Sequence, residues 1–326
     1  MSSPLTRRGL LGLGGALGAA ALLSACSSSN DTLPVATPSS TTGKTVFTQE
    51  QYDALVTSGP VAPAEMVSQN AWAQAIKAHG ALRRAGTDTS PIFSLRNPST
   101  NRLKGFDAGI ADLLAHYILG GSDVAKLTEF SKTTVDTRET MIQNKTVDVT
   151  IATYSITPAR AEKVAFAGPY FVSGTAVQVK RSNNDIKSYA DLNVDGKKVT
   201  TETNSTAIAA IQKFIPKAEV TLFTENDACV AAVRQGRVDA YILDQSILLS
   251  NAVNYDDLKV VGEPFTTDPY GIGLTKDDPG AKTFVNDFLT KIFTDGTWKK
   301  LYDGTVGPYV AGEAPTPPAL GGVPGA

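Results

Sequence analysis

The stretch that decides the fold is Lys145–Tyr170, KTVDVTIATYSITPARAEKVAFAGPY. In its first half Val147, Val149 and Ile151 alternate with Asp148, Thr150 and Ala152, the period of a strand with one buried face. Small hydroxyl residues follow, Thr153, Ser155 and Thr157, and then Pro158. Thr157 suits an N-cap and Pro158 a first helical position, so a helix is expected to begin with Arg160 in its first turn. Where a strand end passes into a helix start, free N–H groups and the positive end of a dipole collect. Arg160 adds a planar fork that can take a carboxylate through two hydrogen bonds. The stretch reads as a carboxylate site at the C-terminal end of a strand. It reads equally as an ordinary strand–turn–helix with a surface arginine, and its residues alone leave both open.

Outward from this stretch, strands and helices alternate. Leu82–Gly86 reads as a short strand leading to the polar loop Thr87–Pro91. Phe106, Ile110, Leu113, Leu114, Tyr117 and Ile118 recur at helical spacing up to Gly120-Gly121. Lys126–Ser131 is a strand candidate and Thr137–Lys145 a helix. Beyond Tyr170, strands are expected at Gly174–Lys180, Lys198–Thr201, Ala218–Phe223, Val238–Leu243, Asp257–Gly262 and Pro269–Thr275. Helices are expected over Thr206–Ile215, Asn226–Gln235 and Ala281–Phe293. Such alternation predicts α/β layers with largely parallel sheets. The pattern runs through twice, with Val147–Arg160 and Val238–Asp244 in like places of the two halves. In open α/β sheets, ligands sit beyond the carboxyl ends of strands. Arg160 in one half and Asp244 in the other would pair the carboxylate and the ammonium of a zwitterion. Asp244 also suits the N-cap of a helix over Gln245–Leu249, and the two roles are compatible.

The 326 residues are 42% hydrophobic and 19% charged, an ordinary globular composition. The formal net charge of −2 gives no sign of a nucleic-acid partner. Only His79 and His116 are present; both read as solvated helix residues, and no His/Cys/carboxylate cluster has metal-ligand spacing. Neither metal nor cofactor is expected. No Gly-x-Ser-x-Gly, no P-loop and no base paired with a nucleophile is found, so an enzyme is not expected either. Arg7 and Arg8 precede an apolar run, Gly9–Leu23, that ends Leu23-Ser24-Ala25-Cys26, the form of a secretory signal. The run is short for a membrane span. Its end resembles a lipobox, so residues 1–26 are expected to be a lipoprotein signal peptide with Cys26 acylated as the mature N-terminus. Thr6–Leu11 also resembles a twin-arginine signal. Residues 27–43, mostly Ser, Thr and Pro, are expected to be a flexible tether. The capping box Thr48-x-x-Gln51 and the run Ala64–His79 make 44–80 a helical extension. The Pro/Gly/Ala-rich segment 307–326 is expected to be a disordered tail. With Cys26 lipidated, Cys229 has no disulfide partner.

Taken in order, Gly105-Phe106-Asp107, Asp148, Thr157-Pro158-Ala159-Arg160, Phe166-x-x-Pro169-Tyr170, Gly236–Ala240, Asp244, Tyr270-Gly271-Ile272 and Gly296-Thr297-Trp298 resemble the family-3 extracellular solute-binding proteins, the amino-acid receptors of ABC importers. The likeness covers about Leu82–Val306, and with the lipobox it is most similar to lipoprotein receptors for acidic amino acids. It implies an α/β, two-lobed periplasmic-binding-protein type II fold whose lobes are joined by two hinge strands. Lobe 1 would be 80–178 plus 276–306 and lobe 2 179–275, with the ligand between them. It also implies that Arg160 takes the α-carboxylate with help from Thr153 and Ser155, and that Asp244 takes the ammonium. Ser205 and Thr206 would supply donors from lobe 2, and Asp88 a polar contact. In relatives that bind glutamate or aspartate an arginine matching Arg138 grips the side-chain carboxylate, which favours an acidic ligand; the alternative for Arg138 is a solvated helix residue.

Some positions depart from the family pattern. Gly109 stands where a second aspartate is usual. Thr200 stands where a partner for Cys229 is usual, leaving Cys229 a buried thiol. Glu202 stands where some relatives carry a lysine; facing the ligand, it would repel an acidic side chain and point to asparagine, glutamine or a basic amino acid. The expected function is that of a monomeric substrate-binding lipoprotein on the outer face of the cell membrane, delivering a polar amino acid, glutamate or aspartate favoured, to an ABC permease. The alternatives are a lipoprotein that senses amino acids for a membrane signalling partner, and a dehydratase on the same fold using Glu202.

Overall fold

A computed structural model describes residues 44–326; the expected signal peptide, its Cys26 and the tether 27–43 lie outside the described residues. The chain enters through α1 (Gln49–Thr57), α2 (Ala64–Ser68) and α3 (Ala71–His79). Thr48 Oγ1 accepts from the Gln51 N–H and the Gln51 side chain accepts from the Thr48 N–H, so the capping box forms. Tyr52, Val56, Trp72 and Ile76 are buried in the largest core, which ties the extension to the body. Among the described residues no helix is long and apolar enough to cross a membrane.

The first lobe then forms through β1 (Leu82–Gly86), β2 (Thr89–Ser90), β3 (Ser94–Arg96), β4 (Leu103–Lys104), α4 (Phe106–Leu119), β5 (Thr128–Lys132), α5 (Arg138–Gln143), β6 (Val149–Thr150), α6 (Pro158–Ala161) and β7 (Ala165–Ser173). The second lobe is β8 (Thr175–Lys180), β9 (Lys198–Glu202), α7 (Ala207–Phe214), β10 (Glu219–Phe223), α8 (Asn226–Arg234), β11 (Ala240–Asp244), α9 (Gln245–Asn254) and β12 (Leu258–Val261). The chain returns to the first lobe with β13 (Asp268–Leu274), α10 (Pro279–Thr294) and α11 (Thr297–Thr305). One five-stranded sheet runs β5-β1-β6-β13-β7 and the other β10-β9-β11-β8-β12; β2, β3 and β4 make a small antiparallel sheet.

The two large sheets are mixed rather than largely parallel. β1 is parallel to β5 and β6, and β9 to β10 and β11, as the βαβ pattern predicts. The strands that carry the chain between lobes run against them: β13 is antiparallel to β6 and β7, and β8 to β11 and β12. These pairings also move the lobe boundaries. All of β8 belongs to the second sheet and all of β13 to the first, so the chain crosses at Gly174 and returns through 262–267. The crossings expected after 178 and 275 each lie at the far end of a strand already committed to one sheet. Each lobe closes on its own core: Phe106, Tyr170, Phe284, Phe288 and Trp298 lie in one, Val199, Cys229, Tyr241 and Leu258 in the other.

Three local expectations change. The strand read over 147–152 is paired only at Val149–Thr150. His116, expected in solvent, is buried on α4, which is enclosed on nearly every side. The segment 307–326 is placed against the first lobe rather than disordered: Gly321 N–H donates to Gly168 O at 2.9 Å, and Val323 and Ala326 pack on a cluster that holds Ile156, Val164 and Phe166.

At the crossing the two connecting segments nearly touch. A Cβ on Gly174 would stand 2.2 Å from Thr266 O and 2.9 Å from Pro264 Cβ. Thr175 N–H donates to Thr266 Oγ1 at 2.7 Å and Phe265 N–H to Thr175 O at 2.9 Å, so neither segment can retreat without losing bonds. Gly174→Ala is expected to cost about 1–3 kcal/mol, the usual range for overpacking. Thermal unfolding should show it as a Tm lower by roughly 2–4 °C per kcal/mol; an unchanged Tm would mean that the crossing is looser than described.

Candidate functional site

The carboxyl ends of β6 and β11 meet at the junction of the lobes, and most of the expected residues converge there. A pocket of about 260 Å³, counting space open to solvent, is lined by Arg138, Thr153, Ser155 and Arg160 from the first lobe and by Glu202, Ser205, Thr206 and Asp244 from the second. It opens into an outer cleft of about 760 Å³ that shares Arg138, Thr153 and Glu202 and reaches Asp88, Asn226 and Asp227. The lobes touch around this cleft. Asp136 accepts from Thr203 Oγ1 at 2.7 Å and from the Asn204 amide, Ser90 Oγ lies 2.8 Å from Ser250 Oγ, and Asn254 Nδ2 donates to Thr89 O at 3.3 Å.

Arg160 is 8% exposed. Its Nη1 donates to Ser155 O at 2.9 Å and its Nη2 to Asn204 O, on the other lobe, at 3.0 Å. Arg138, 4% exposed, is no solvated helix residue: its guanidinium lies 3.9 Å from the centroid of the Tyr154 ring, and Nη1 donates to Ala152 O at 3.2 Å. Arg138 Nε is buried with no protein partner. Burial first, and then the charge of Arg160, pull Arg138 down to about 10. Among the described residues, both guanidiniums hydrogen-bond only to backbone carbonyls. The helix start contributes less than expected. α6 has four residues, because Ala165 already enters β7, and the Arg160 N–H is taken by Thr157 Oγ1 at 3.2 Å. So short a helix has almost no macrodipole, and the attraction for an anion comes from the side chains.

Asp244 ends β11 and immediately precedes α9, but its side chain makes no capping bond. One carboxylate oxygen, Oδ1, is buried with no partner. Burial, and after it the neighbouring Asp268, hold the Asp244 carboxyl well above the usual carboxylate range. Asp268 is itself tied to the hydroxyls of Thr175 and Thr266. Ser205 Oγ lies 3.1 Å from Thr201 Oγ1, and Thr206 sits at the start of α7 without a side-chain capping bond. Asp88 lines only the outer cleft, where it is already paired with Arg96 at 3.2 Å and Lys132 at 3.3 Å. Glu202 faces the cleft at 7% exposure and accepts from Tyr241 OH at 3.2 Å; burial pushes its carboxyl up to about 7.

One further residue supports the site. Thr153 has φ +44°, a left-handed conformation costly for a β-branched residue. Its N–H donates to Asp107 Oδ2 at 2.7 Å, while Tyr170 OH donates to Asp107 Oδ1 at 2.8 Å. Asp107 lies in the first turn of α4, fully buried, and burial raises its carboxyl to about 6 against those two bonds. It therefore holds the Thr153 backbone in the shape that carries the chain past the pocket. Nothing in the spacing of Asp107 and Thr153 reveals this; the motif Gly105-Phe106-Asp107 marked the residue without its role.

A sequence profile of the bacterial extracellular solute-binding proteins, family 3, matches residues 82–307. The glutamate-binding protein GluB of Corynebacterium efficiens is 35% identical over 224 residues, 67% of this chain and 76% of its own. The ABC transporter glutamine-binding protein GlnH of Bacillus subtilis is 35% identical over 216 residues, 66% of this chain and 77% of its own. The crystal structure of the ancestral amino acid-binding protein AncCDT-1, a precursor of cyclohexadienyl dehydratase, is 31% identical and superposes with a TM-score of 0.62 over 72% of this chain and 98% of that one.

Proposed function

From the premise that this chain belongs to the family-3 bacterial extracellular solute-binding proteins, we propose that its cleft receives an acidic amino acid, glutamate or aspartate, and hands it to an ABC permease. The lobes have the type II periplasmic-binding-protein fold, and the chain is an extracytoplasmic amino-acid-binding protein of the ABC-importer class. A lipid on Cys26 would hold the protein at the membrane.

The observation that carries it is the set of charges inside the pocket. Among the described residues two buried guanidiniums, Arg138 and Arg160, have no carboxylate partner and hydrogen-bond only to backbone carbonyls, and across from them Asp244 buries a carboxylate oxygen with no partner. A buried charge without a partner costs several kcal/mol, so a ligand that supplies the missing charges is strongly favoured. The α-carboxylate fits Arg160, the ammonium fits Asp244, and a side-chain carboxylate fits Arg138. Thr153, Ser155, Ser205 and Thr206 offer hydroxyls and N–H groups around the α-carbon, and Asp88 sets polarity at the outer end. Closing the second lobe over a ligand docked on the first removes water and strengthens each pairing.

Calorimetric titration with the twenty amino acids tests this directly; glutamate and aspartate are expected to bind, and binding of none would remove the ligand reading. Arg138→Ala separates acid from amide. Removing one partner of a buried charge pair costs roughly 2–5 kcal/mol, so glutamate affinity should fall by about 30-fold or more, and glutamine affinity by less. Equal losses for the two would count against the acidic ligand.

A further inference from the structure

Glu202 opposes an acidic ligand only if it stays ionised. Four charged side chains line the deep pocket: Arg138 and Arg160 against Glu202 and Asp244. A zwitterion with a neutral side chain leaves that set balanced. A side-chain carboxylate adds one negative charge in a place where each of the four is less than one-tenth exposed, and an uncompensated charge there is heavily penalised. Taking up one proton removes the excess. Asp244 must remain ionised to hold the ammonium, which leaves Glu202.

The surroundings of Glu202 suit that role. From β11, Tyr241 OH donates to Oε1 at 3.2 Å and Asp244 closes the same strand. Glu225 and Cys229 come from the start of α8, and Asp136 from the loop before α5. Glu225, Asp136 and Asp244 all oppose a charge on Glu202, whereas Arg138 favours one. Burial has already brought the carboxyl to about 7, within reach of neutral pH. Glu202 and Arg138 come from opposite lobes and both line the passage from the deep pocket to the outer cleft, where a ligand side chain would lie.

We propose that Glu202 reads the ligand's side chain by its protonation, so that an acidic amino acid enters together with one proton and an amide enters without it. With glutamate, a solvent proton forms an O–H bond on Glu202, which donates to the ligand carboxylate while Arg138 grips it from the first lobe. With glutamine, Glu202 stays ionised and accepts from the amide nitrogen, while Arg138 donates to the amide oxygen. The inference rests on the amino-acid reading above and deepens it.

The test is calorimetry with L-glutamate and L-glutamine between about pH 5.5 and 8, where a free glutamate side chain (ordinary pKa about 4.3) stays ionised. Buffers of different ionisation enthalpy give the protons taken up. Contributions common to both ligands, such as Asp244 losing a proton to meet the ammonium, cancel in the comparison. The ratio of glutamate to glutamine affinity is expected to fall as pH rises, by up to about tenfold per unit above the Glu202 pKa, with more protons taken up alongside glutamate. In Glu202→Gln the ratio should become independent of pH. Parallel pH profiles for the two ligands in the unaltered protein, or a pH-dependent ratio that persists in Glu202→Gln, would overturn the inference while leaving the receptor reading intact. Binding of neither amino acid would overturn both.

Discussion

Arg160→Ala is expected to abolish measurable amino-acid binding while the protein stays folded. In the proposed site the Arg160 guanidinium offers an α-carboxylate two parallel donors from the first lobe, and it is almost wholly buried. Without it, a carboxylate bound there would sit in the closed cleft beside the Tyr154 ring and the Ser155 carbonyl without its two-pronged donor, and Arg138 would be the remaining cation on that wall of the pocket. The expected loss of about 2–5 kcal/mol corresponds to roughly 30- to 4,000-fold in affinity. Arg160 also bonds to Asn204 O across the junction, so its removal weakens one of the contacts between lobes as well. Its hydrogen bonds are few and at the edge of the core, at about 0.5–1.5 kcal/mol each, so the unfolding temperature should fall only modestly. Arg160→Lys keeps the charge but loses the planar fork, and should lie between the wild type and the alanine variant. Calorimetry that found near-normal affinity in a folded Arg160→Ala protein would remove Arg160 from the site.

Much of this cleft is legible in the chain because the groups proposed to bind are carried at the ends of local patterns. The strand read at Leu82–Gly86 is β1 to the residue, and the helix read at Ala281–Phe293 differs from α10 only at its ends. Arg160 and Asp244 each follow an apolar strand run, so the α/β rule places both near one crevice from the sequence pattern alone. What escapes depends on contacts between distant residues. β7, nine residues long, is absent from the strands expected from the sequence, and Gly168-Pro169 stands in its middle. Proline is tolerated there because β7 is the edge of its sheet, where a missing N–H costs no ladder bond. The lobe boundary at Gly174 is set by which sheet β8 and β13 join, a choice that local periodicity does not encode. The bond from Thr153 to Asp107 spans 46 residues and has no sequence signal either.

Asp244→Asn is expected to separate binding from stability in opposite directions. In the proposed site Asp244 meets a ligand's ammonium, and asparagine keeps its shape without its charge, so affinity for every α-amino acid should fall by about 30-fold or more. Stability should move the other way. Burial raises the Asp244 carboxyl, and a carboxyl whose folded pKa exceeds its unfolded value destabilises the fold above the folded pKa. That penalty fades as pH falls through the raised value and is gone below the ordinary carboxylate range. The asparagine variant should therefore unfold at a higher temperature than wild type near neutral pH, with the gap closing toward about pH 4. Thermal unfolding of the ligand-free proteins at several pH values, beside calorimetry with glutamate, reads both effects. An aspartate serving chiefly as the N-cap of α9 would give the reverse result, since losing a cap costs about 1 kcal/mol and leaves ligand affinity alone. A destabilised variant with normal affinity would thus assign Asp244 to the helix, and a stabilised variant that no longer binds would assign it to the ligand.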